Sequence, residues 1–329
     1  MRSSCSSCSS CSTSSKKDCI ELHTKACYND SVEMQAERRC VSFFCIAGIG
    51  DAGEGGRVGH FNIVLPKEGN TMKCIKCDLP YADKIEIHPM ADLHIGDAHC
   101  DYKSILERIE YIKKTPNAYV ILDGDLMDTA IASSVGDTYG ATLSPMDQLK
   151  ECVGLFEPIK DKILAVLPGN HEQRITRQDG LDITELLCSQ LGIVDKYSST
   201  TALLFIRFGK STRKSNHGRP QWYTIYVTHG SGGGRKEGGK INRLADLASI
   251  VDADIYVMGH THMPAIIKEG FYRVSGPNSS VALVDKLFVN TAASLNYGGY
   301  GDTAGFKPAS KCAPVIYLDG HKREMSAML

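Results

Sequence analysis

The feature that most constrains this chain is a recurring junction. Five apolar stretches each run into a short cluster of Asp, His or Asn, often set among glycines. The clusters are Asp92-Leu93-His94, Asp123-Gly124-Asp125 with Asp128 close behind, Gly169-Asn170-His171-Glu172, Thr228-His229-Gly230 and Gly259-His260-Thr261-His262. Short apolar runs bounded in this way read as buried strands. The central run, Ala118 to Leu122, leads to Asp125. A carboxylate brought to the edge of a core is costly to desolvate unless a cation answers it. A strand-end turn rich in Asp and Gly would account for one junction. It does not account for a series in which every cluster carries metal-ligating residue types.

Between the junctions the pattern alternates. Strands are expected at 84–90, 118–122, 163–167, 202–208, 222–227 and 255–258, then near 265–274, 286–290 and 315–318. Helices are expected at 100–114, with Ile105, Ile109 and Ile112 on one face, from Pro145 to Ile159, at 183–191 before Gly192, and at 241–250. Helices alternate with strands early and strands dominate late, the pattern of an α/β domain with mixed sheets.

Composition narrows the function classes. The chain has 329 residues, 42% of them apolar, and a formal charge of −1. That balance argues against tight, sequence-independent nucleic-acid binding through a large basic face, while leaving room for a local basic rim. There is no apolar run long enough for a transmembrane helix, and Ser/Cys repeats follow Arg2 where a secretory signal would need an apolar core. A cytoplasmic location without membrane contact is expected. The 13 cysteines divide into seven before residue 72 and six scattered singly or as one pair. They read as free thiols rather than a disulfide framework.

Residues 1–17 are low complexity, and Cys5-x-x-Cys8-x-x-Cys11 belongs to a Ser-Ser-Cys repeat, so disorder is expected there. A short polar helix is expected within 18–41 and a strand at 41–47. Gly48-x-Gly50-x-x-Gly53 matches a dinucleotide fingerprint, but more glycines follow and no amphipathic helix opens. Lys67-Glu68-Gly69 can be encoded by a purine-rich bacterial ribosome-binding sequence, two codons ahead of Met72. On this reading Met72 is the natural start, residues 1–71 are an upstream segment, and one domain spans 72–329. Cys74-x-x-Cys77 is half a zinc site with no second pair nearby and reads as structural.

Asp92 and His94 are two apart, as are His260 and His262, and in an extended segment such side chains share a face. With Asp125, Asn170 and His229 they make a set of nitrogen and oxygen ligands too large for one ion. Two ions sharing a carboxylate fit the number. Without a thiolate, the set points to Mn, Fe or Zn in a reactive centre rather than to a structural zinc. The stretch Gly234 to Lys240 has the glycine and lysine positions of a P-loop, but Ile241 stands where Ser or Thr would hold Mg²⁺. It reads as a flexible Gly-rich lid. Arg235, Lys236 and Lys240 on it, with Arg174 and Arg177 after His171, are candidates for contact with a substrate phosphate.

The five clusters, in this order from Asp92 to His262, resemble the calcineurin-like metallophosphoesterase superfamily over roughly residues 84–320. The resemblance implies a four-layer α-β-β-α sandwich with two mixed β-sheets and a site at strand C-terminal ends. It implies that Asp92, His94 and His262 hold a first metal, that Asn170, His229 and His260 hold a second, and that Asp125 bridges them. A hydroxide between the cations would attack phosphorus in line. His171, not a ligand, would donate a proton to the leaving oxygen or hydrogen-bond the phosphoryl group. Asp128 would orient His171 and favour its charged form, with Glu172 supporting the ligands from behind.

Two departures sharpen this. Thr129-Ala130 stands where the superfamily's phosphoprotein phosphatases carry Arg-Gly, which argues against Ser/Thr protein phosphatase activity. Asp-Leu-His-Ile-Gly at 92–96 looks closer to the nuclease and nucleotide-phosphodiesterase branches, whose compact stand-alone forms are bacterial and phage proteins. The expected function is hydrolysis of phosphodiester bonds in a nucleic acid or nucleotide. The expected cofactors are two divalent cations, Mn first, with Fe, Zn or a mixed pair as alternatives. A phosphomonoesterase, or a non-catalytic binding protein like polymerase small subunits, are the rivals.

Overall fold

The structure, a computed structural model, describes residues 72–131, 141–214, 218–232 and 234–329. The expectations for residues 1–71 therefore lie outside the described residues, as does most of the loop before Pro145.

Strand β3 (Ala118–Asp123) is buried at every position. Tyr119 and Ile121 face one way, Val120 and Leu122 the other, and both sides meet apolar neighbours. A strand covered on both faces loses the polar alternation of a half-exposed one, which is why it reads as one apolar run. Its parallel neighbours are β2 (Lys84–Met90) and β4 (Ile163–Leu167), and β10 (Val315–Asp319) and β11 (Met325–Met328) extend the sheet antiparallel in the order β11-β10-β2-β3-β4.

The second sheet has the order β1-β5-β6-β7-β9-β8. Its strands are β1 (Lys73–Asp78), β5 (Thr201–Phe208), β6 (Gln221–Thr228), β7 (Ile255–Met258), β8 (Ala265–Ser275) and β9 (Ser280–Asn290). The pairs β1/β5, β6/β7 and β7/β9 are parallel, and β5/β6 and β8/β9 antiparallel.

Ile85, Ile87 and Ile121 of the first sheet pack against Leu204, Ile225 and Val257 of the second. The first sheet's outer face packs on α1 (Tyr102–Lys114), α2 (Pro145–Phe156) and α4 (Ile183–Leu191) through Ile105, Ile112, Leu149 and Leu187. The second sheet's outer face, with Tyr226, Tyr256 and Phe288, packs on Leu244 of α5 (Glu237–Asp246). Four layers result, as the resemblance implied. Each fully buried aliphatic side chain contributes roughly 1.5–3 kcal/mol.

Several elements differ from expectation. Strand β1 was not anticipated. Ile75 and Cys77 alternate into the core while Cys74 is exposed, so the two cysteines lie on opposite faces and form no chelate. Helix α3 (Asn170–Asp179) opens at the third junction, where no helix was anticipated; it buries only Glu172 and Ile175 and lacks an apolar stripe. Helix α2 gives way to a 3₁₀ segment, Glu157–Lys162, because Pro158 has no amide for an α-helical bond. Helix α5 starts at Glu237, earlier than the apolar pattern suggests, and Leu247–Ser249 continues as a 3₁₀ turn. Strand β9 begins at Ser280, because its outer half pairs with β8 beyond the core. The described cysteines are all free. Among the described residues no helix is long and apolar enough to cross a membrane.

Candidate metal centre

Strands β2, β3, β6 and β7 release the chain into turns with left-handed backbone. Asp92, His94, Asp125, Thr129, His260 and His262 all have positive φ, between 43° and 65°; among the described non-glycine residues only Ser279 joins them. Each such residue costs on the order of 1–2 kcal/mol. This replaces the expected reason for the shared faces. Residues 91–94 and 259–262 are not extended. Left-handed residues alternate with Leu93, which is buried in the core, and with Thr261, so the flanking ligands turn outward together. The amides of Asp92 and His94 donate to the carbonyls of Gly124 and Asp125 (3.0 Å each), zipping the first loop to the second.

The seven expected ligands meet in one place. Asp92 Oδ1 lies 3.2 Å from His262 Nε2 and 4.0 Å from His229 Nε2. Its Oδ2 accepts from the His260 amide at 3.0 Å and the Thr291 hydroxyl at 3.4 Å. His94 Nε2 is 3.4 Å from His262 Nε2. Asp125 Oδ2 is 3.2 Å from His229 Nε2, and Oδ1 accepts from the His171 amide at 2.8 Å. Ligand atoms of Asp92, His94 and His262 lie within 4.8 Å of one another, and so do those of Asp125, His229 and His260. The Asn170 side chain enters through its Oδ1, 2.7 Å from His260 Nδ1.

These groups fit divalent cations. Asp92 Oδ1 and His229 Nε2 are buried and make no hydrogen bond, although His229 Nε2 has a carboxylate oxygen 3.2 Å away, out of hydrogen-bond line. His229 Nδ1 donates to the Asp123 carbonyl at 2.6 Å, which turns Nε2 toward the cluster, where a cation would displace any proton it carries. A ring nitrogen fixed in this way by a backbone carbonyl is how metal-ligating histidines are oriented. Soft ligands are absent from the cluster, so the donor set suits Mn, Fe or Zn.

The electrostatics follow from burial and pairing. Burial pushes the Asp92 and Asp125 carboxyls up, but His262 beside Asp92 and His229 beside Asp125 hold both below the ordinary range. Burial, then the charge of His171, pushes His94 down to about 3, so it stays neutral. Burial works to lower His229 as well, yet Asp125 and Asp92 raise it well above the usual value. Behind the cluster, the fully buried Glu172 carboxylate accepts from the amides of Asp125 (3.0 Å), Met127 (2.9 Å) and Gly169 (2.8 Å). It ties β3's loop to the start of α3.

His171 stands beside the ligands. Its Nδ1 lies 3.1 Å from Asp128 Oδ1, and its Nε2 is 3.9 Å from Asp125 Oδ2. Burial lowers its pKa, but Asp128, then Asp125, raise it on balance. Two residues here escaped the sequence reading. The Thr129 hydroxyl donates to the His171 carbonyl at 2.6 Å, and its amide donates to Gln148 Oε1 at 2.8 Å. The available signal was Gln148 itself, a fully buried polar side chain in the apolar stripe of α2.

The candidate phosphate-binding side chains are mostly engaged by protein. Lys240 donates to the Thr261 carbonyl at 2.7 Å, bracing the His260–His262 turn. Arg235 donates to the Ala304 carbonyl at 2.9 Å and lies over the Phe306 ring. Arg177 donates to Gln173 Oε1 at 2.9 Å. Lys236 is exposed at the cap of α5. The charge of Arg174 is felt at both His171 and Asp128.

A model of calcineurin-like phosphoesterases matches residues 93–264, more than half of the chain. No curated protein matches it. Solved structures with similarity include a conserved uncharacterized protein, a predicted phosphoesterase, from Streptococcus pneumoniae (16% identity, 72% of this chain and 85% of that one, TM-score 0.29). Wild-type Vps29 of Entamoeba histolytica in complex with zinc is similar at 14% identity, over 74% of this chain and 90% of that one, with TM-score 0.35. A metallophosphoesterase from Sphaerobacter thermophilus is similar at 14% identity, over 71% and 84%, with TM-score 0.35.

Proposed function

The chain belongs to the calcineurin-like phosphoesterase family, and from that premise we propose that it hydrolyses phosphodiester bonds of a nucleic acid or nucleotide at a two-cation centre. Family and His/Asp clusters together make it a metal-dependent phosphoesterase. The observation that carries the finer reading is the pair of ligand groups, Asp92/His94/His262 and Asp125/His229/His260, packed side by side. Asp92 Oδ1 and Asp125 Oδ2 both approach His229 Nε2, at 4.0 and 3.2 Å, so the groups share a border.

Asp92, His94 and His262 would hold one cation, Asn170, His229 and His260 the other, with Asp125 common to both. Bound there, two divalent ions would supply a water nucleophile at neutral pH and offset charge on the phosphoryl oxygens. The chain's own residues do the rest. The Asp123 carbonyl fixes the His229 ring, and Glu172 fixes the backbone of Asp125. His171, charged through Asp128, is placed to give a proton to the leaving oxygen. A diester is favoured over a monoester by charge. A monoester brings a second negative charge, while Arg177, Arg235 and Lys240 are occupied with protein groups. Thr129-Ala130 in place of Arg-Gly supports the same choice.

The test is hydrolysis of bis-p-nitrophenyl phosphate against p-nitrophenyl phosphate with Mn²⁺. Diester turnover that disappears in Asp125→Asn supports the proposal. Monoester turnover alone would make the protein a phosphatase of the same family. No turnover of either, with no metal bound, would make it a binding protein.

A further inference from the structure

Behind the loop that carries Asp92 lies a cavity of ≈ 180 Å³ that the proposed reaction does not use. Met90 and Leu93 from the end of β2, Ile105 from α1 and Ala292 from the segment after β9 give it apolar walls. Four polar residues also line it: Ser104, Arg108, Ser294 and Lys311.

Their charges do not cancel. Lys311 is answered by Asp101 Oδ2 at 2.5 Å and also bonds Asn296 Oδ1 at 2.8 Å. The Ser104 hydroxyl donates to the Asp101 carbonyl at 3.0 Å. Arg108 has one protein partner shown, the Ala313 carbonyl at 3.0 Å, and no carboxylate among the described residues pairs with it. Burial pushes its guanidinium down to about 10, with only the Cys312 thiol working the other way. Its buried neighbour His88 is pushed down to about 4 by burial and then by Arg108, and so adds no charge; both His88 ring nitrogens lack a hydrogen-bond partner. One cation without a carboxylate partner among the described residues therefore faces a cavity whose walls are part polar and part apolar. A desolvated charge left alone is costly, and a bound anion relieves it.

We propose that this cavity binds a small organic carboxylate, its anionic end on Arg108 and its apolar body against Met90, Leu93, Ile105 and Ala292. The planar guanidinium fork matches a carboxylate with two parallel hydrogen bonds. A single uncompensated cation suits a monoanion better than a phosphate dianion. A cavity of about 150 Å³ holds a benzene ring, so the occupant is about the size of benzoate. The site is independent of the phosphodiesterase reading. It adjoins the metal loop because the Ser294 amide, on the cavity wall, donates to the Asp92 carbonyl at 3.0 Å.

The experiment is titration calorimetry of the full-length, metal-loaded protein with benzoate, and with benzyl alcohol as a neutral ligand of similar shape. One saturable benzoate site is expected in the wild type. Arg108→Met should weaken it by at least about tenfold, and Ala293→Leu, which fills the cavity and keeps the cation, should also abolish it. Both variants should retain the wild-type metal content, which separates this site from benzoate caught on the metals. Benzoate binding that survives both substitutions, benzyl alcohol binding as tightly as benzoate, or no benzoate binding up to about 10 mM would each overturn the proposal.

Discussion

His171 and Asp128 are joined twice, the imidazole Nδ1 lying 3.1 Å from the Asp128 carboxylate and 2.8 Å from the same residue's backbone carbonyl. The double contact fixes the ring's rotation and leaves Nε2 free. Because no ligand role is given to His171, its removal separates proton donation from metal binding. His171→Gln should keep the wild-type metal content and lower diester turnover by about 10²–10⁴-fold. Elemental analysis of the purified variant alongside its turnover checks both halves; metal loss would contradict the assignment.

Gly169 packs directly against Asp125. A β-carbon there would fall inside van der Waals contact with both Oδ1 and the amide nitrogen of Asp125. Its φ of −94° is open to any residue, so space and not backbone freedom requires glycine. Gly169→Ala should reduce metal affinity by roughly 10–100-fold, the range seen when the support of a ligand is disturbed, measured by metal titration. An alanine variant with undiminished affinity would show that Asp125 is not held where the geometry places it.

Glu172 is chosen for its two acceptor oxygens. Oε2 takes the amides of Asp125 and Gly169, and Oε1 takes Met127. Glutamine would turn an NH₂ group toward at least one of these donors. Glu172→Gln should therefore cost about 1–3 kcal/mol of stability, read by urea denaturation of the metal-free protein, and weaken metal binding as well.

Asp254 tests charge far from the centre. It is buried, and it accepts from Arg323 Nη2 at 2.7 and 2.8 Å and from the amide and hydroxyl of Thr224 at 2.9 Å each. Burial raises its pKa, but Arg323 and then Thr224 bring it below the ordinary carboxylate value. A carboxyl whose folded pKa is depressed stabilises the fold fully above its unfolded pKa and loses that contribution as pH falls toward the folded one. Asp254→Asn should be less stable than wild type at pH 7 by roughly 1–3 kcal/mol, and the gap should narrow below about pH 4. Denaturation curves at both pH values decide it; a gap that widens in acid would refute the assignment.

Much of the candidate centre was legible because the residues that the structure brings together there sit where buried strands end. Asp125 follows an uninterrupted apolar run, and such runs locate strand ends well. Helix α3 was not legible for a related reason. Its sequence, Asn170 to Asp179, has one buried apolar residue, so it carries no helical period. It is held by Glu172 bonding back to the Gly169 amide and by Gly180 in left-handed conformation at its end. Strand β1 was hidden by its cysteines, which were weighed only as half a zinc site and set aside as structural, although Ile75 and Cys77 alternate with exposed residues as a half-buried strand requires. Thr129 stood out only as a departure from Arg-Gly; its left-handed backbone and its bond to the His171 carbonyl are not announced by its type.

That left-handed backbone carries a historical consequence. Asp92, His94, Asp125, His260 and His262 stand in a conformation glycine would adopt more easily. On the proposed reading, their role as metal ligands is what opposes that exchange. In a descendant released from it, glycine at His94, His260 and His262 would relieve the backbone, whereas at Asp92 and Asp125 it would also remove the acceptors of the His260 and His171 amides. Decay of the enzyme would thus leave its first mark in the turns, while the strands beneath them stayed as they are.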